Sequence, residues 1–186
     1  MPKLTLIQHL YALIIFRIPW RIRAVVSVKK IYNYLAHRTG ADLGKNVRFN
    51  GPFFGLSSHV CVKEGASFNH NVRFIGGGRV SVGRYVHVAQ NVTFISSNHD
   101  YDNGEAIPYG KKKVNREIVI EDFVWIGHGV LVMPGVVIGE GSVVAAGSVV
   151  TRSVEPCAVA GGNPAIVIKS RDIDHFNTLK SSGRYY

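Results

Sequence analysis

Between Ile126 and Val150 a branched aliphatic residue returns at every sixth position, at Ile126, Val132, Ile138, Val144 and Val150. Neither the turn of an α-helix nor the alternation of a long strand produces that interval, whereas short strands joined by tight corners and wound into a solenoid do. The same beat runs upstream through Val62, Phe68 and Phe74, then Val82, Val88 and Phe94, and resumes at Ile120. Each coil can bury its apolar residues only against the coils above and below, so the core is a one-dimensional stack whose ends need caps. Gly127, Gly129, Gly135, Gly139, Gly141 and Gly147 are expected at the corners, where they would supply positive φ.

Two interruptions carry as much information as the period. Around Gly76-Gly77-Gly78 the spacing between inward residues stretches from six to eight, which predicts a small bulge that only glycines tolerate. From Ser96 to Glu117 the beat disappears into a polar stretch holding His99, Asp100, Asp102, Pro108 and the run Lys111-Lys112-Lys113. A long irregular insertion in a regular solenoid marks a functional or a disordered loop.

The 186 residues, 46% of them hydrophobic, suit one domain with a real core. Two cysteines, Cys61 and Cys157, are too few for a disulfide framework, which fits a reducing, cytoplasmic setting with both as small buried hydrophobes. A formal net charge of +10 favours an anionic partner. No nucleic-acid-binding signature accompanies it, so a phosphorylated ligand or an acidic lipid surface is preferred. Arg17, Arg21, Arg23, Lys29, Lys30 and Arg38 crowd a basic, apolar helical segment over residues 1–40. Its longest apolar run, Leu10 to Phe16, is seven residues, too short to span a membrane. Arginines follow that run where a signal peptide would place small residues. Two arrangements stay open for this segment: peripheral contact with an anionic membrane through residues 1–35, at the inner face, or a helical cap on the solenoid. The solenoid itself is expected over residues 41–170 with its extended loop at 96–117, followed by a short helix and frayed tail over 171–186.

Five segments together resemble one family: Phe68-Asn69-His70-Asn71, Ser97-Asn98-His99, Val124-Trp125-Ile126-Gly127, Ala145-Ala146-Gly147-Ser148-Val149-Val150-Thr151-Arg152 and Gly162-Asn163-Pro164-Ala165. In this order they look like the hexapeptide-repeat acyltransferases, in the branch of galactoside, maltose and polysaccharide O-acetyltransferases, over about residues 60 to 170. The resemblance implies an all-β, left-handed parallel β-helix and a homotrimer. It also implies acetyl-CoA as donor with no metal, and a glycan or sugar-nucleotide acceptor of the capsular or lipopolysaccharide kind.

An imidazole is well matched to taking the proton of a sugar hydroxyl at neutral pH. His99 falls where the family places that general base. The resemblance puts Asn69 on the acceptor sugar and Ala146 against the pantetheine arm with Trp125 beside it. It puts Thr151, Arg152 and Lys169 toward the phosphorylated end of CoA, where basic groups pair phosphates. Asp100 and Asp102 are candidates to orient the imidazole or to form turns. Two departures stand out. Gly77 replaces an acidic acceptor-binding residue, which favours a bulkier or anionic glycan over a simple galactoside, and Ile166 replaces a basic residue near the adenine. The alternatives are an N-acetyltransferase of an amino-sugar nucleotide, a γ-carbonic-anhydrase-like zinc protein using His87, His99 and His128, and a silent trimeric scaffold.

Overall fold

The computed structural model describes residues 28–186; the preceding part of the N-terminal segment lies outside the described residues. Short strands stack into three parallel faces. The first holds β1 (Asp42–Leu43), β4 (Val60–Val62), β7 (Val80–Val82), β12 (Ile118–Ile120) and β15 (Val137–Ile138). The second holds β2 (Arg48–Phe49), β5 (Ser67–Phe68), β8 (His87–Val88), β13 (Trp125–Ile126), β16 (Val143–Val144) and β18 (Ala158–Gly162), with β19 (Ala165–Ser170) antiparallel at its edge. The third holds β3 (Phe53–Phe54), β6 (Val72–Ile75), β9 (Thr93–Ile95), β14 (Leu131–Val132) and β17 (Val149–Val150). The chain visits the faces in the same order on every coil, which makes a parallel β-solenoid of about six turns, and the coil is of the left-handed β-helix type.

The six-residue beat is the inward column of this winding. Ile126, Val132, Ile138, Val144 and Val150 are all 0% exposed. Burying a side chain of this size contributes about 1.5–3 kcal/mol. At the earlier coils phenylalanines fill the wider interior, Phe49 stacking on Phe68 at 4.8 Å and Phe74 on Phe94 at 5.3 Å.

The corners show why asparagine and glycine recur. Between the second and third faces Asn71, Asn91, Gly129 and Gly147 all take φ between 61° and 72°. That left-handed conformation costs these two residue types least. Gly127 and Gly139, expected to share it, do not. A Cβ on Gly127 would sit 2.6 Å from the Ala146 nitrogen, so this glycine serves the close approach of neighbouring coils. Between the first and second faces Tyr85 and Phe123 occupy the left-handed position with φ of 53° and 59°. Their rings lie parallel, 5.8 Å apart, and form a platform for the end of the chain.

One end of the stack is covered by a helix. Helix α1 (Val28–His37) packs on β2, where Asn33 Oδ1 accepts from Phe49 N at 2.9 Å and so satisfies an edge amide. This stretch of the N-terminal segment is therefore a cap. α2 (Ile173–Ser181) runs instead along the corner between the first and second faces, where it buries Phe176 beside Phe123 and ties Lys180 to Glu140 at 2.7 Å. The expected frayed tail is instead folded back. Tyr185 lies 4.3 Å from the Tyr85 ring, and the Tyr186 carbonyl meets His87 Nε2 at 2.9 Å. Aromatic rings on the corner platform give the tail apolar surface to cover, which its sequence alone did not announce. Cys157 is buried as expected, whereas Cys61 is half-exposed and its thiol donates to Asp42 Oδ2 at 3.3 Å.

Candidate active site

The insertion at residues 96–117 leaves the coil after β9 and returns before β12, at the corner between the third and first faces. Its base is regular rather than irregular. β10 (Ser97–His99) pairs antiparallel with β11 (Lys113–Asn115), His99 standing opposite Lys113. Periodicity cannot reveal so short a pair, whose residues alternate in no apolar pattern. The glycine triplet explains how the hairpin departs. A Cβ on Gly76 would lie 2.5 Å from Ser97 Oγ, and one on Gly78 would lie 2.4 Å from the Ser96 carbonyl oxygen. The two interruptions in the sequence are thus one structural event, a hairpin base seated on glycines.

His99 lines a cleft of about 300 Å³ with Asn98, Arg116, Met133, Pro134 and Thr151. Its Nδ1 is buried and has no hydrogen-bond partner. Among the described residues no hydrogen bond joins either aspartate to the imidazole: Asp100 Oδ1 accepts from Asn103 N at 2.9 Å, a turn former, and Asp102 lines the same cleft without bonding the ring. The Tyr109 ring covers the imidazole at a centroid distance of 3.9 Å.

The other expected residues fall in four places. Thr151 shares the His99 cleft, and Arg152 follows it at the same corner. Asn69 and Ala146 instead lie at the corner between the second and third faces, on different coils. Asn69 Oδ1 accepts from Asn50 Nδ2 at 3.2 Å, while Ala146 is exposed above Gly127. Trp125 points outward from the second face, 57% exposed, and with His87 and Tyr186 lines a second cleft of about 300 Å³ under α2. Lys169 sits on β19 opposite Val159, three residues beyond the exposed Ile166. Among the described residues the ion pairs are Arg79–Glu117, Arg84–Asp122 and Lys180–Glu140, so Arg152 and Lys169 have no carboxylate partner. Arg116, Met133 and Tyr109 escaped sequence reasoning, because no motif marks them and only the folded hairpin brings them to His99. His87, His99 and His128 stand on the second face, the hairpin and a corner. Among the described residues no group of three or more His, Cys, Asp or Glu could hold a metal ion.

Residues 117–152 match the model described as bacterial transferase hexapeptide (six repeats). A probable macrolide acetyltransferase of Lysinibacillus sphaericus is 38% identical over 124 residues, covering 58% of this chain and 68% of that protein. The galactoside O-acetyltransferase of Lactococcus lactis is 32% identical over 143 residues, covering 74% of this chain and 67% of that one. Among solved structures, a hexapeptide-repeat acetyltransferase of Vibrio cholerae complexed with acetyl coenzyme A superposes with a TM-score of 0.66 at 28% identity, covering 80% of this chain and 81% of that one. The chain belongs to the hexapeptide-repeat acetyltransferase family, and its donor is acetyl-CoA. Among the described residues no helix is long and apolar enough to cross a membrane.

Proposed function

We propose that this chain transfers an acetyl group from acetyl-CoA to a sugar hydroxyl of a glycan, with His99 as the general base. The observation that carries it is the enclosure of His99 Nδ1, which leaves Nε2 free to take the hydroxyl proton in a cleft shared with Thr151. The acceptor oxygen attacks the thioester carbonyl as its proton passes to Nε2. Collapse of the tetrahedral adduct expels the CoA thiolate, which takes that proton back from the imidazolium. Backbone amides of the coils hold the oxyanion. A positioned base of this kind contributes about 10²–10⁴-fold.

Asn69 and Ala146 stand one corner away from His99 and Thr151, so a donor lying along Ala146 and an acceptor held by Asn69 need His99 from a neighbouring copy. A closed homotrimer supplies it. Trp125 then flanks the pantetheine arm, and Thr151, Arg152 and Lys169 meet the phosphates. Gly77 in place of a carboxylate favours a larger or acidic glycan, of the capsular or lipopolysaccharide kind.

The basic residues Arg17, Arg21 and Arg23 support peripheral contact with the inner face of an anionic membrane. α1 is already committed to the cap, so that contact belongs to residues 1–27. The deciding experiment offers acetyl-CoA with a panel of sugars, sugar nucleotides and bacterial glycans and reads acetylation by mass spectrometry. O-acetylated glycan is expected, and acetylation confined to amino groups would overturn the proposal. Deleting residues 1–27 should release the protein from anionic vesicles without loss of activity on a soluble acceptor.

A further inference from the structure

We infer that Tyr109 is the positioning residue for His99, holding the imidazole by its ring face where other general bases are held by a carboxylate. The inference rests on His99 being the base. A general base needs a third group to fix its orientation. Here Nδ1 has no partner, and the nearest carboxylate in sequence, Asp100, is turned onto Asn103 N. What meets the imidazole is Tyr109, at a centroid distance of 3.9 Å and an interplanar angle of 28°. That separation is shorter than the ~4.5–7 Å of ordinary aromatic pairs.

Tyr109 is itself held by backbone. Beyond β10 and β11 the hairpin ladder continues, Asp100 N donating to Lys112 O at 3.1 Å and Gly110 N to Asp100 O at 2.9 Å. Lys111 N donates to Glu105 Oε1 at 3.1 Å, closing the loop around Tyr109. Gly104 and Gly110 then pinch it: a Cβ on Gly104 would lie 2.4 Å from the Gly110 nitrogen. The segment carrying Tyr109 is thereby pressed over the segment carrying His99. An aromatic face is also suited to the moment of reaction, because its quadrupole attracts the imidazolium that His99 becomes after taking the proton. The ring, not the phenol hydroxyl, does this, since the contact is face to face.

The test compares Tyr109→Phe and Tyr109→Leu in the full chain by steady-state kinetics with acetyl-CoA and the best acceptor. Tyr109→Phe should stay within about 2-fold of wild-type kcat, and Tyr109→Leu should lose about 10- to 100-fold in kcat with both KM values little changed. Ile107→Ser, at a 98% exposed position of the same loop, controls for general loop damage and should match wild type. On a His99→Ala background Tyr109→Leu should add nothing. Wild-type kcat in Tyr109→Leu, a Phe variant as impaired as Leu, or a loss expressed only in KM overturns the inference. If His99→Ala itself remains active, the base assignment has failed instead, so the two failures are told apart.

Discussion

Asn69 and His99 stand at opposite edges of the third face, Asn69 at the corner that leads into it and His99 on the hairpin that leaves it. If acceptor binding and proton abstraction use these two residues, two copies of the chain share one site. Asn69→Ala and His99→Ala proteins, each impaired alone, should regain roughly a quarter of wild-type activity when refolded together, since a random mixture leaves that share of interfaces intact. Activity no higher than the sum of the two separate variants would place both residues of a site in one copy.

His99→Ala should reduce kcat by about 10²–10⁴-fold while the melting temperature stays close to wild type, because the hairpin backbone and not the imidazole carries the local hydrogen bonds. Retention of activity within a few-fold would remove His99 from the mechanism.

Gly77 differs from its neighbours in tolerating a side chain. The nearest group to a Cβ there would be the Asn115 amide, at 3.4 Å, and its φ lies outside the left-handed region. Gly77→Asp should therefore fold and raise kcat/KM on simple galactosides by about 10-fold, the worth of one charged hydrogen bond. An unchanged galactoside rate in a folded variant would show that this position does not face the acceptor.

Asp122 gives the stability a pH dependence. Burial alone would raise its pKa, but the Arg84 amide at 2.7 Å and guanidinium at 2.8 Å outweigh that and hold the carboxyl below its usual range. A depressed carboxylate stabilises the fold at pH values above its unfolded pKa of about 4, and the contribution is lost as pH falls through the lower folded value. Asp122→Asn should lower the melting temperature at neutral pH and flatten its decline in acid. Thermal melts from pH 7 to pH 2 measure this, and superimposable profiles would contradict it.

Ile138→Asp puts a carboxylate where the wild-type side chain is 0% exposed, between coils that offer it no donor. A destabilisation of about 3 kcal/mol or more is expected, seen as loss of the cooperative melt or of soluble protein. A variant that melts like wild type is incompatible with an inward position.

By itself the sequence determined the coil. An inward aliphatic at a fixed interval and corners of asparagine and glycine leave no other periodic structure, since each inward residue has only its stacked neighbours for burial. His99 is a candidate on two grounds together: it lies where that regularity stops, and Ser97-Asn98-His99 matches a segment of the family. What only the tertiary structure decided is who stands next to whom across the breaks. The hairpin under His99, the glycines that seat it, and Tyr109 over the imidazole arise from backbone hydrogen bonds and close approaches between coils, which leave no periodic trace in side-chain type. The same holds for the folded-back tail. Tyr85 and Phe123 are ordinary aromatics in the sequence and become a platform only because successive corners superpose.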